Sequence, residues 1–344
     1  MKILQAIDAG GWGGAENVVV QLSNGLAGRG HEVEVWARKV SVLCGELQEG
    51  IRVRNIPFLN DYDPFTIMMF KSALKNYDVV HVHLGRASIL SGYATFFCRQ
   101  NVHRLFCHMH SFHKPKHYRN QKQIICVSKS VEMYVKESMP WVERTWIVYN
   151  GINIKEARDA KPLICEESKK VRIGLLATFK NGKGHEDLLK AFSILAKDET
   201  VELVLGGDGP LLSSMKRLAE SLGLSQRVKF LGFIRPQKAF SFWKSVDIAC
   251  FPSYIEGCPI SAIEAMAVGT PLVVYDYRGA KEVLGESSII IPLGDVSALA
   301  HALNSLTKDS LLRAKYARLS EWKSKQYSQD TMINRILHIY EKAL

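Results

Sequence analysis

Residues 2–38, KILQAIDAGGWGGAENVVVQLSNGLAGRGHEVEVWAR, decide the fold class. A β-rich run (KILQAID) leads into a glycine-rich turn, a segment of helical period from about Glu16 to Gly28, and a second β-rich run, HEVEVWAR. Strand, turn, helix and strand in that order form a βαβ opening, whose crossover leaves the two strands parallel. The rhythm continues through IRVRNI, YDVVHVH, HRLFCHMH, QIICVS and TWIVYN, with helical segments between several of them. Apolar runs of this kind belong to parallel strands covered on both faces, which predicts a doubly wound sheet. The pattern breaks in NGINIKEARDAKPLICEESKKV, a polar stretch without a clean period, and restarts at VRIGLLATF. A domain boundary is therefore expected within residues 151–170. VELVLGG, VKFLGF, DIACFPS, PLVVYD and SIIIPL repeat the alternation, and from about Asp295 the chain reads as helix to its end. The expected architecture is α/β, with two Rossmann-like doubly wound domains at 1–160 and 161–310. Helices at 311–344 are expected to pack back toward the first domain.

Composition narrows the function classes. Of 344 residues, 47% are hydrophobic and 23% charged, with 25 glycines and 11 prolines, which excludes disorder, collagen and coiled coil. No repeat of 20 to 50 residues occurs, so a solenoid is not expected. No run approaches the roughly 18 apolar residues of a spanning helix. The start, MKILQAIDAGG, has neither a basic region nor a cleavage site, and a cytoplasmic chain is expected. Seven cysteines without a CxxC pair argue against a disulfide framework and a zinc ribbon, leaving reduced, mostly buried thiols. Lys plus Arg outnumber Asp plus Glu by 45 to 34, a net charge of +11 that admits nucleic acid, anionic lipid or phosphorylated small molecules as partners. The 53 residues between Asp78 and Glu132 contain no acid, eight Lys or Arg and seven of the eleven histidines, which makes the positive field local.

The segment PSYIEGCPISAIEAMAVGTPLVV, residues 252–274, carries the clearest chemistry. An apolar strand ends in a loop holding Glu256, Gly257 and Pro259, and a helix follows at once. Pro259 suits the first helical turn, where a missing N–H costs nothing. The N–H groups of Ile260 and Ser261 would point out of the helix start, where the dipole favours a phosphate or pyrophosphate. Glu256 and Glu264, eight residues apart, can both face a ligand over that start and accept sugar or ribose hydroxyls. The plainer alternative makes Glu256 a loop cap and Glu264 a helix-surface residue. In GGWGGAE, Gly13 and Gly14 let the backbone approach a ligand, although Glu16 occupies the last glycine position of a dinucleotide fingerprint. HMHSFHKPKH offers His108, His110, His113 and His117 as conceivable metal ligands, with i, i+2 spacing placing two on one strand face. The basic run HKPKHYRNQKQ reads either as a solvated loop or as a surface that meets a phosphorylated glycolipid at an anionic membrane. Asp61-Tyr62-Asp63 reads as a turn and a helix start before Pro64.

EGCPISAIEAMAVGTPLV resembles the hallmark of the family 4 glycosyltransferases, an E-x(7)-E pair in an EG-x-P-x-x-x-x-EAMA-x-G-x-P-V frame. The resemblance extends over nearly the whole chain, through GGWGGAENVVVQLSNGLAGRGHEV, VSKS, YNGI, KGHEDLLKAF, LVLGGDGP and VKFLGF. It implies a GT-B fold, two Rossmann-like domains with a cleft between them. It also implies retention of anomeric configuration, no metal and no other cofactor. The resemblance places Glu256 by the donor sugar, Glu264 by the ribose, and Lys183 on the diphosphate. An arginine usual five residues before that lysine is here Thr178; either Lys180 substitutes for it, the favoured expectation, or the diphosphate is held more weakly and shared with Ser261 and backbone donors. His110 is implied beside the donor sugar, and with Glu256 and Lys183 it completes the expected catalytic set. Donor contacts are further implied at Gly13, Gly14, Gly207, Phe233, Gly257, Cys258, Pro259, Ile260 and Ser261. The partners implied are a UDP- or GDP-sugar donor, a glycan or lipid-linked acceptor and peripheral contact with an anionic membrane, but no nucleic acid. The expected role is hexose transfer in bacterial lipopolysaccharide, O-antigen or capsule synthesis. The rival readings are a nucleotide-sugar epimerase of the same fold and a non-enzymatic binder of anionic ligands that uses the basic histidine-rich segment.

Overall fold

The protein is described from a computed structural model covering residues 1–38, 42–97, 99–164, 170–195 and 199–344, with the side chains at 42, 44, 99 and 100 outside the description. The first sheet contains β1 (Lys2–Ile7), β2 (Glu32–Ala37), β3 (Arg52–Asn55), β4 (Val79–His83), β5 (Leu105–Met109), β6 (Gln123–Cys126) and β7 (Arg144–Ile147). Its order is β3-β2-β1-β4-β5-β6-β7, and every pairing is parallel. The second contains β8 (Val171–Leu176), β9 (Val201–Gly206), β10 (Val228–Gly232), β11 (Ile248–Phe251), β12 (Leu272–Tyr275) and β13 (Ser288–Ile291). Its order is β10-β9-β8-β11-β12-β13, again parallel throughout.

Helices cover the sheets, so the central strands are buried on alternate and intervening residues alike. Ile3, Leu4, Ala6 and Ile7 of β1 are wholly buried, as are Leu203, Val204 and Leu205 of β9. The edge strand β3, RVRN, is exposed and carries two arginines, which guard it against pairing with another chain. Cys107, Cys126, Cys250 and Cys258 are buried thiols outside any disulfide, as the composition suggested, while Cys98, Cys165 and the side chain of Cys44 lie outside the description. Among the described residues no helix is long and apolar enough to cross a membrane.

The chain divides into a first unit, Met1–Gly151 with Gln329–Leu344, and a second, Ile152–Ser328. The division lies ahead of the expected boundary at 160, because Ile152 bridges to Ser328 and the helix Ile154–Asp159 packs within the second unit. The expected block of helices at 311–344 is also divided. The helix Ser310–Ser324 stays with the second unit, where Ser320 Oγ donates to the Ser287 carbonyl at 3.0 Å. Only the helix Gln329–Ala343 and its terminal residue join the first, through an Asp330–Arg29 ion pair and close packing of Ile333. A Cβ on Gly25 would come within 2.1 Å of Ile333 Cδ1, so glycine is what lets that helix dock.

Candidate active site

In the second unit, β8 and β11 are neighbours, and their crossovers leave toward opposite edges. Such a switch point opens a crevice beyond the carboxyl ends of the two strands. Lys183 lies in the loop after β8 and Glu256 in the loop after β11, and their side chains meet there, Nζ to Oε1 2.5 Å. Both are largely buried, at 21% and 16% exposure, so the pair is shielded but reachable.

Backbone contacts hold the two loops together. Tyr254 N donates to the Gly182 carbonyl at 2.9 Å. At Gly184, φ is +70° and a Cβ would stand 1.9 Å from the Pro252 carbonyl oxygen, so only glycine permits the approach. Gly207, after β9, has φ +130° and would place a Cβ 2.1 Å from the Ala177 carbonyl oxygen. Its N–H donates to the Gly232 carbonyl at 2.7 Å, which draws the exit of β10 beside it, and the next residue, Phe233, is exposed. Four of the expected donor-binding positions, Lys183, Glu256, Gly207 and Phe233, thus follow the carboxyl ends of the neighbouring strands β8, β11, β9 and β10 and form one rim. Lys180 also lies in the loop after β8 and is exposed.

The helix Ile260–Ala267 begins at this rim, with Pro259 just outside its first turn and no side chain capping it. Its first amides have no intrahelical acceptor and suit an anion. Ser261 contributes less than its position suggested, because its hydroxyl donates to the Leu176 carbonyl at 2.9 Å and pins the helix to the end of β8. Gly257, Cys258, Pro259 and Ile260 are buried. Glu264 is neither an exposed helix residue nor an open carboxylate. It is buried, and desolvation followed by the nearby charge of Glu156 pushes its carboxyl up to about 8. At neutral pH it is mostly protonated, able to donate as well as accept. A residue missed from sequence is Asp187, whose Oδ2 accepts from the hydroxyls of Tyr254 (2.7 Å) and Tyr275 (2.9 Å), tying the helix His185–Leu195 to the loop of Glu256.

In the first unit the corresponding switch point lies between β1 and β4. Gly13 is the N-cap of the helix Gly14–Ala27, with extended backbone and no side-chain cap, and Gly14 is exposed. Asp8, just after β1, is held by Arg38 (2.6 Å) and Arg86 (3.2 Å), a grouping that sequence spacing did not reveal. Asp63 caps the helix Pro64–Asn76 by accepting from Phe65 N and Thr66 N, and Asp61 pairs with Arg86, so the D-x-D is a turn and helix start as read.

The histidines assemble differently from the set His108, His110, His113 and His117. His81, His83 and His108, all buried, bring one ring nitrogen each within 4.8 Å of one another, and His110 stacks on His108 with centroids 4.4 Å apart. The spacing would let three imidazoles approach one ion. Yet both nitrogens of His83 are engaged, Nε2 with Gln5 Oε1 (2.8 Å) and Nδ1 with His110 Nε2 (3.0 Å). His81 and His83 went unnoticed because YDVVHVH reads first as a strand. His117 instead sits against Gly85, where a Cβ would stand 2.9 Å from its Nδ1.

Comparison with known proteins fits these two units. Residues 12–156 match Glycosyltransferase Family 4, and residues 159–323 match Glycosyl transferases group 1. An uncharacterized glycosyltransferase of Methanocaldococcus jannaschii, MJ1607, is 26% identical over 299 residues, 76% of each chain. A phosphatidyl-myo-inositol mannosyltransferase of Mycolicibacterium smegmatis is 27% identical over 359 residues, covering 96% of this chain and 90% of that one. The crystal structure of Anabaena Alr3699/HepE in complex with UDP-glucose superposes with a TM-score of 0.85 at 21% identity, over 99% of this chain and 100% of that one. Two parallel sheets with this likeness define the GT-B fold, and the enzyme is a glycosyltransferase. The chain belongs to the family 4 glycosyltransferases, whose two matched regions together run from residue 12 to residue 323.

Proposed function

We propose that this glycosyltransferase is a retaining, metal-independent hexosyltransferase that uses a UDP- or GDP-sugar and a glycan or lipid-linked acceptor of lipopolysaccharide, O-antigen or capsule. The observation that carries the reading is the Lys183–Glu256 pair beside an uncapped helix start at the switch point of the second unit. A diphosphate arriving there competes for the Lys183 ammonium and meets the helix-start amides. The Glu256 carboxylate, released from Lys183, then accepts hexose hydroxyls, and Glu264 takes the ribose. Lys180 assists on the diphosphate in place of an arginine at Thr178. His110 of the first unit supports the hexose near its reacting carbon. In the reaction the bond from hexose C1 to the diphosphate oxygen breaks as the acceptor oxygen bonds to C1 on the same face. The acceptor proton passes to the departing phosphate oxygen, so no side chain need act as nucleophile. Lys183 and the amides stabilise the charge that develops on the leaving group. The relative named for phosphatidyl-myo-inositol supports a lipid acceptor, and the neighbour crystallised with UDP-glucose supports a UDP donor.

The test is hydrolysis and transfer across a panel of UDP- and GDP-sugars with and without EDTA, with the product's anomeric configuration read by NMR. One donor cleaved at the same rate in EDTA, with configuration retained, is expected. Inversion, or activity abolished by EDTA and restored by a divalent ion, would contradict the reading.

Membrane contact has its own support. Leu59, Tyr62, Phe65, Met68, Phe96 and Phe97 are each more than half exposed. They gather around the helices Pro64–Asn76 and Gly85–Thr95, where Lys71 Nζ lies 5.5 Å from the Phe97 ring and the tilted rings of Tyr62 and Tyr93 lie 6.0 Å apart. Aromatic and aliphatic side chains beside lysines suit an anionic bilayer surface, into which the rings insert while the ammonium groups meet phosphates. Lys75 is exposed in the last turn of the helix Pro64–Asn76, and co-sedimentation with vesicles containing phosphatidylglycerol is expected, weakened about tenfold by Phe65→Ser combined with Lys75→Glu. Equal binding of that variant, or equal binding to neutral vesicles, would remove this surface from the account.

A further inference from the structure

Gln5, His81, His83 and His108 share one face of the first sheet, because the register pairs Gln5 with His81 and His83 with His108, and alternate residues of a strand point the same way. His110 continues the row beyond the end of β5. Tyr340, from the helix Gln329–Ala343, closes over this face. Gln5 Nε2 donates to Tyr340 Oη at 3.3 Å, and that hydroxyl lies 2.6 Å from His81 Nδ1. The same amide therefore turns its oxygen to His83 Nε2, 2.8 Å away.

These contacts determine where the ring protons reside. An amide oxygen only accepts, so His83 carries a proton on Nε2. Burial without an acidic partner in this row keeps the imidazoles neutral and holds His83 and His110 well below the usual histidine range. His83 Nδ1 is then a bare acceptor, and His110 Nε2, 3.0 Å from it, must supply the proton. We propose that Gln5 and His83 are positioning residues that fix His110 as its Nε2–H tautomer, with Nδ1 held as a hydrogen-bond acceptor. That nitrogen is shielded and has no hydrogen-bond partner among the described residues. Resting on the reading of His110 given above, it accepts a hydroxyl of the donor hexose. The row has one competing arrangement. With the Gln5 amide turned over, every proton moves to the opposite nitrogen and His110 becomes a donor at Nδ1.

The two arrangements are separable without any turnover. In full-length protein carrying 15N-labelled histidine, long-range proton–nitrogen correlation distinguishes protonated from bare ring nitrogens, with His83→Gln and His110→Gln assigning the signals. Wild type is expected to show both His83 and His110 protonated at Nε2 and bare at Nδ1. Gln5→Met, similar in length but with no acceptor, is expected to shift the His110 Nε2 signal toward the bare type, whereas Gln5→Glu, which still accepts, keeps it protonated. A His110 proton on Nδ1 in wild type, or a His110 signal indifferent to Gln5→Met, would overturn the proposal. With UDP-glucose as the probe, Gln5→Met is further expected to raise KM about tenfold and to leave kcat less affected. The expected tautomer with no UDP-sugar bound at all would count against the donor reading and leave the assignment of His110 standing.

Discussion

Lys183→Ala is expected to lower donor cleavage about 10²- to 10³-fold, the loss typical when one preorganised group facing a developing negative charge is removed. The loop that carries the ammonium is fixed before any ligand arrives, by the close approach of Gly184 to Pro252 and by the Tyr254 N–H on the Gly182 carbonyl, contacts that remain when the diphosphate takes Lys183 from Glu256. It therefore needs little reorganisation when the leaving diphosphate gains charge. Lys183→Arg retains the charge on a planar, longer head group and should recover part of the rate. Initial rates at saturating donor distinguish the outcomes, since the loss is expected in kcat as well as in kcat/KM. Activity within threefold of wild type in Lys183→Ala would place the diphosphate elsewhere.

Glu264 predicts a stability that falls as pH rises. Its folded carboxyl titrates at about 8, above the ordinary 4.5, with burial as the first cause and repulsion by Glu156 as the second. Between those values the folded protein holds a proton that the unfolded chain has released. Raising the pH through that window costs stability, at most about 1.4 kcal/mol per pH unit. Glu264→Gln is neutral at every pH and lacks this slope. Urea unfolding of the full-length protein at pH 5, 6.5 and 8 is expected to show wild type losing about 2–4 kcal/mol relative to the variant across the series. Parallel curves for the two proteins would show that Glu264 is ionised in the fold.

Much of this is legible in the amino-acid sequence itself. All thirteen described strands coincide with apolar or alternating runs in the sequence, the central ones because parallel strands buried on two faces have a composition that little else shares. The loop and helix start around Glu256 were legible for a similar reason, since a strand, Gly257, Pro259 and a small-residue helix leave few local conformations. Burial was not legible. Whether Glu264 meets solvent depends on the helix Ile154–Asp159, whose Glu156 lies more than a hundred positions away and adds to the cost of ionising it. The spacing of the two glutamates carries no trace of that. Long-range pairings were equally hidden: Tyr340 reaches Gln5 across 335 residues, and Asp8 meets Arg86 only because β1 and β4 are adjacent. The unit boundary falls at the start of the expected span 151–170 and ahead of residue 160 for a related reason. Its polar segment was recognised, but the bridge from Ile152 to Ser328 assigns the first part of that segment to the second unit.

The switch point between β8 and β11 is expected to hold a nucleoside diphosphate through Lys183. Equilibrium titration of UDP and GDP into wild type, Lys183→Ala and Glu264→Ala tests it most directly. Saturable binding of one nucleotide to wild type, weakened at least tenfold in both variants, is the result predicted. Binding of neither nucleotide, or equal affinity in all three proteins, would contradict it.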